Sequence, residues 1–119
     1  MDAIQVTARL TIHEGKLDEF KALAAQCMRL VRERDSGTLQ YDWFFSDDNR
    51  ECVVRETYKD SGAVLEHIAN LGANLGAILG VCDMALEIYG SPSAELLQAA
   101  AGLAPRIYSP FPEPLIAAG

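Results

Sequence analysis

Positive charge is scarce in this sequence. Ten Lys and Arg residues stand against 17 Asp and Glu, giving a net charge of −7 and an isoelectric point near 4.7. Such a chain repels phosphate backbones and anionic lipid, and no Lys/Arg cluster offsets the repulsion, so neither nucleic acid nor a membrane surface is an expected partner. Long apolar runs are absent too. No stretch of about 18 uninterrupted apolar residues exists, so no membrane-spanning helix is expected. Met1-Asp2-Ala3 leads directly into strand-like sequence, without the basic and apolar regions of a signal peptide, and a cytoplasmic location is expected. Cysteine is sparse and odd in number: Cys27, Cys52 and Cys82. They form no Cys-x-x-Cys or Cys/His ligand spacing, which argues against structural zinc and a disulfide framework. Each lies in an apolar segment, where a free thiol behaves as a small hydrophobe. Dinucleotide and metal-binding motifs are also missing, so neither cofactor nor metal is expected.

What is present suffices for one domain with a core. The chain has 119 residues, half of them hydrophobic. Ile4, Val6, Ala8, Leu10 and Ile12 alternate with polar residues, the pattern of a half-buried strand. Lys16–Arg34 carries an apolar stripe from Leu17 and Phe20 to Val31 and reads as a helix stopped by Asp35-Ser36-Gly37. Thr38–Ser46 is a second strand, with Leu39, Tyr41, Trp43 and Phe45 expected on one face. A polar loop of hairpin length, 46–50, leads to a third.

The stretch Glu51–Asn74 organises the remainder. Cys52, Val54, Glu56 and Tyr58 alternate along a strand, and Asp60 stands at a helix N-cap. Ala63–Ile68 then continues as a helix that carries His67. Gly72, Gly76 and Gly80 recur every four residues beyond it. As helix positions they give one smooth face, either for tight packing on the sheet or to leave room for a ligand. A break near Asn70 or Gly72 is expected. Val81–Tyr89 is a fourth strand. Ser91-Pro92 reads as the cap and first residue of a short helix over 93–101. Pro105, Pro110, Pro112 and Pro114 then favour an extended tail, in which Ile107, Tyr108 and Phe111 need burial.

The order strand, helix, strand, strand, helix, strand predicts an α+β, ferredoxin-like split βαβ fold (βαββαβ). Its sheet is expected to have four antiparallel strands, one domain spanning 1–103 and the tail 104–119. One sheet face is covered by helices and the other needs a partner, which predicts a homodimer packed face to face.

The segment around Glu56-Thr57-Tyr58 and His67 resembles the antibiotic biosynthesis monooxygenase (ABM) family over roughly residues 3–90. Members carry an apolar strand ending in Glu-x-Trp, a short polar turn, and a helix ending in a His before a small-residue break. Tyr58 stands where the Trp is usual. The resemblance implies a dimeric α+β barrel. It also implies oxidation of quinols, hydroxylated aromatics or polyketide phenols by molecular oxygen, without metal or flavin. A phenolate is electron-rich enough to reduce oxygen, so the protein has to hold the substrate, remove a proton and exclude water. His67 titrates near neutral pH and is the expected base. Glu56 and Tyr58 are expected to orient substrate or imidazole, Trp43 and Phe45 (with Tyr41) to supply aromatic walls, and Asn70 and Asn74 to bond ring oxygens.

Each of these residues also has a structural reading. His67 can be a surface or capping group, Glu56 can pair with Arg9 across the sheet, and the aromatics can be core or dimer-face residues. Asn70 and Asn74 can simply break the helix. The competing function is a non-catalytic dimeric binding or stress-associated module, and the presence of a cavity at His67 discriminates the two. Haem degradation is disfavoured: where haem-degrading relatives place Asn, Trp and His, this chain has Ala8, His67 and Ala77.

Overall fold

A computed structural model describes residues 2–112. The strand β1 (Ile4–Ile12) is followed by α1 (Leu17–Arg34). The hairpin of β2 (Thr38–Phe45) and β3 (Glu51–Tyr58) comes next, then α2 (Ser61–Leu71) and α3 (Ala73–Leu79). The chain continues through β4 (Cys82–Tyr89), α4 (Ala94–Ala100), a 3-10 turn and β5 (Arg106–Tyr108). This is the ferredoxin-like α+β fold that the order of elements predicts.

Sheet order is β2-β3-β1-β4-β5. The first four strands pair antiparallel, as expected. The fifth corrects the expected count. Part of the presumed tail forms β5, parallel to β4 through Glu87–Arg106, Ile88–Ile107 and Tyr89–Tyr108. Pro105 immediately precedes it, an edge position where a missing N–H disrupts no ladder. Stacked rings of Tyr89 and Tyr108, 5.1 Å apart, hold it there. Residues 113–119, with Pro114, lie outside the described residues.

Register decides which side chains meet the helices. Val6, Glu56 and Tyr41 are aligned across β1, β3 and β2, as are Ala8, Val54 and Trp43. A bulge between Thr38 and Gln40 displaces Leu39, which is 67% exposed and not on the face with Tyr41, Trp43 and Phe45. Those aromatics therefore face α1 and α2, not the open side of the sheet. Against the same face α1 buries Phe20, Ala24, Cys27 and Val31. All three cysteines are free and buried.

Asp60 caps α2 by accepting from the Ala63 amide at 2.8 Å. Gly72, at φ 53°, separates α2 from α3, which accounts for the expected break. The glycine spacing does not make a packed face. Gly76 is exposed, and an added Cβ there would meet nothing within 4 Å. For α4 the cap is Ser93, whose hydroxyl accepts from Leu96 at 3.1 Å, two residues later than expected because Pro92 precedes the cap. Among the described residues no helix is long and apolar enough to cross a membrane.

Candidate active site

Two apolar clusters form the core. One is built on α1 and the middle of the sheet, the other on Ile4, Tyr58, Val64, Ile88 and Leu96. They do not close completely on each other. Between them lies a cavity of about 90 Å³, lined by members of both. Its walls are almost wholly aliphatic, and α4 and the turn after it contribute Leu96, Ala100 and Leu103. Tyr41, Trp43, Glu56 and His67 supply the polar groups on this lining, with the Cys27 thiol. That volume holds several waters or part of a small organic molecule.

His67 reaches the cavity because α2 buries Ala63, Val64, His67 and Leu71, one stripe of the helix. It is 6% exposed, neither a surface nor a capping group. Its Nδ1 lies 2.9 Å from Oδ2 of Asp35, and its Nε2 lies 3.8 Å from Oε1 of Glu56. The rings of Tyr41 and Tyr58 flank the imidazole edge-on and tilted, at 5.1 and 5.2 Å.

Asp35 is the centre of this arrangement. It sits one residue beyond α1 in an extended conformation, its amide bonded to Val31 O. Its carboxylate accepts from Thr38 Oγ1 at 2.6 Å and from Asn70 Nδ2 at 2.8 Å, besides contacting His67. Burial pushes its pKa up, but these hydrogen bonds outweigh it and hold the group below the ordinary carboxylate value. An ionised carboxylate only accepts, so Nδ1 of His67 carries the proton. Burial lowers the His67 pKa despite the raising influence of Asp35. The imidazole is therefore neutral near pH 7 and presents the Nε2 lone pair to the cavity.

The loop that carries Asp35 is locked onto α2. Ser36 donates to Glu66 from its amide at 2.7 Å and its hydroxyl at 3.0 Å. Lys59 N bonds to Gly37 O at 2.9 Å. A Cβ on Gly37 would stand 2.6 Å from Ala63 Cβ, so only glycine admits this approach.

Glu56 faces inward from β3, and its Oε1 accepts from the Tyr58 hydroxyl. It does not pair with Arg9, which lies on the opposite sheet face and bonds Glu87 at 3.3 Å. Burial pushes the Glu56 carboxyl up to about 7, with a further rise from Asp35, against the lowering effect of Tyr58. The hydroxyls of Tyr41 and Tyr58 are held protonated, first by burial and then by Glu56. Trp43 Nε1 is buried and makes no well-formed hydrogen bond among the described residues, the acceptor within weaker reach being the Tyr41 hydroxyl.

Among the residues singled out in sequence, His67, Glu56, Trp43 and Tyr41 line the cavity. Tyr58 and Asn70 stand one step behind, acting on Glu56 and Asp35. Phe45 packs edge-on against Phe20 and is 38% exposed, and neither it nor Asn74 contributes to the lining. In the sequence Asp35 reads only as a helix stop. Its bond to His67 spans 32 residues, and no local spacing announces it. Among the described residues no three or more His, Cys, Asp or Glu side chains are grouped to hold a metal ion.

Comparison with known structures reproduces the fold. MupZ from Pseudomonas fluorescens superimposes with a TM-score of 0.77 over 99% of this chain and 100% of its own, at 21% identity. SnoaB, a cofactor-independent oxygenase from Streptomyces nogalater, gives 0.66 over 79% of this chain and 97% of its own, at 15% identity. Rv0793 from Mycobacterium tuberculosis also gives 0.66, over 73% and 92%, at 21% identity. No curated protein sequence matches. Residues 3–70, over half of the chain, match the antibiotic biosynthesis monooxygenase family model, and the chain belongs to that family.

Proposed function

We propose that this protein is a cofactor-independent monooxygenase that oxidises a quinol or hydroxylated aromatic with molecular oxygen. The carrying observation is a buried imidazole, its Nδ1 2.9 Å from the Asp35 carboxylate, that opens on an apolar cavity. In this reading the substrate ring lies among the aliphatic walls with a hydroxyl toward His67. Nε2 takes the hydroxyl proton, and Asp35 stabilises the imidazolium that results. The phenolate is then rich enough in electrons to reduce oxygen, and the apolar cavity protects the intermediates from water. Trp43 Nε1 donates to a second substrate oxygen. Family membership supports the reaction type. A cavity touching His67 is the feature that separates this reading from the binding module. The active form is proposed to be a homodimer that covers the open sheet face.

The test is oxygen uptake by metal-stripped protein offered a panel of quinols and polycyclic phenols, with His67→Ala beside it. Uptake well above the autoxidation of the substrate, lost in the variant, is the expected result. No uptake with any member of the panel would sink the monooxygenase reading and return weight to the binding module.

A further inference from the structure

The cavity has a long axis, and its two ends differ in chemistry. Two rows of side chains form its floor: Tyr41, Glu56, Val6 and Ile88, then Trp43, Val54, Ala8 and Leu86. Each row crosses β2, β3, β1 and β4, three strand spacings or about 14 Å. The lining side chains that carry nitrogen or oxygen are Tyr41, Trp43, Glu56 and His67, and all stand on β2, β3 or α2. The β4 end has none. There α4 packs on α2 and the 3-10 turn (Ala101–Leu103) packs on β4, so that Leu96, Ala100 and Leu103 wall off the end. This wall is pinned on both sides. Before α4 the Ser93 amide donates to Ser61 Oγ at 2.9 Å. After the turn β5 pairs with β4, and the Gly90 amide donates to Tyr108 O at 2.9 Å. The wall lies beyond residues 3–70, the span that matches the family model, so family membership does not dictate it.

We propose that Leu103 is a specificity-determining residue, which sets how far a ring system can extend from His67 toward β4. This rests on the reading of the cavity as the reactive site, but it holds whether or not the reaction consumes oxygen. A substrate hydroxyl finds hydrogen-bonding partners only at the β2–β3 end, so the rest of the molecule is directed along the floor toward the wall. Leu96 and Ala100 are fully buried with Ile4, Tyr58 and Ile88, and changing their size disturbs that core. Leu103 is only half-buried and, among the described residues, stands outside both apolar clusters. Its size can therefore change with little loss of core. A smaller side chain lengthens the cavity and a larger one shortens it. Each methylene at such a wall is worth roughly 10- to 200-fold in discrimination.

The experiment reads binding through Trp43. It is the one tryptophan of the chain and lines the reactive end, so its indole N–H gives a single ¹⁵N–¹H signal that reports occupancy. Wild type, Leu103→Ala, Leu103→Phe and Leu97→Ala are titrated with phenol, 2-naphthol and 2-anthrol under nitrogen, which prevents turnover. Leu97 lies on α4 but is exposed, and serves as the control. Leu103→Ala is expected to strengthen 2-anthrol binding relative to phenol by roughly 10-fold or more, and Leu103→Phe to weaken 2-naphthol relative to phenol by as much. Leu97→Ala keeps the wild-type ratios. A variant that has lost its fold loses the phenol response as well, and the oppositely directed variant then decides. Wild-type ratios in the Leu103 variants overturn the proposal, as does a Trp43 signal that none of the three compounds moves in wild type. Admitting air separates the two readings. Altered ring selection without oxygen uptake keeps Leu103 and removes the monooxygenase, whereas uptake with unaltered ring selection does the reverse.

Discussion

At Asp35 three donors meet two carboxylate oxygens, so a substitution there acts on both stability and chemistry. In Asp35→Asn one oxygen becomes an NH₂ group that faces Thr38, Asn70 or His67, all of them donors. The imidazole tautomer is no longer fixed. Stability is expected to fall by about 1–3 kcal/mol, and quinol-dependent oxygen uptake by roughly 10²–10⁴-fold. Uptake within a factor of about 3 of wild type would remove Asp35 from the reaction. Glu56 gives a second prediction, in pH. Its folded-state pKa of about 7 lies above its ordinary 4.5, so between these values the folded chain binds the proton more tightly than the unfolded chain does. Stability is present below the ordinary value and is lost as pH rises through 7, by about 3 kcal/mol. Glu56→Gln lacks this dependence. His67, with a lowered pKa, loses stability as pH falls below its ordinary 6.5, but both proteins share that response. Urea unfolding at pH 5 and pH 8 should therefore show Glu56→Gln gaining on wild type at the higher pH. An unchanged difference would mean that Glu56 is ionised in the folded state throughout. His67 and Glu56 are legible in the sequence because a strand, a turn and a helix in series place them. Asp35 is not, because the partner that gives it meaning is 32 residues away.

Elements are legible where a period has room to repeat. β1 and α1 repeat their apolar positions several times, and the structure follows them to within a residue. β5 is three residues long between Pro105 and Pro110, too short for any alternation, and only its pairing with β4 makes it a strand. The glycine series shows the opposite failure: spacing names a face but not what covers it. Two substitutions separate glycines that matter from those that do not. Gly76 is inside α3 with open space where a side chain would stand, so Gly76→Ala should stabilise the protein by roughly 0.5–1 kcal/mol. Gly37→Ala drives a methyl group into Ala63 at the start of α2. Either the loop or the helix has to shift, and overpacking of this kind costs about 1–3 kcal/mol. The same shift moves Asp35 relative to His67, so activity should fall with stability. Thermal unfolding of both variants is the check, and Gly37→Ala with unaltered stability and uptake would mean that the loop does not fix the site.

For the whole molecule the open question is the sheet face away from the helices. It presents Gln5, Arg9, Gln40, Asp42, Arg55 and Thr57, with Phe44 57% exposed among them. At its β5 end Ile107, Tyr108 and Phe111 are 39%, 42% and 71% exposed. Phe44 on β2 and the three residues at β5 stand toward opposite edges of the sheet, so covering both needs a partner that spans the whole face, and an isologous dimer does so with one set of contacts used twice. The net charge of −7 opposes self-association, so apolar contact has to carry it. Sedimentation at micromolar concentration is expected to give twice the chain mass. Phe111→Ala combined with Ile107→Ala should shift the protein toward monomer. Added salt should screen the repulsion and tighten the wild-type dimer. The cavity lies on the helix side, so these substitutions leave His67 and Glu56 in place. An uptake rate that drops with dimer dissociation would then mean that the partner stiffens the sheet behind the cavity. A mass of one chain for wild type at every concentration would instead leave the open sheet face to another protein.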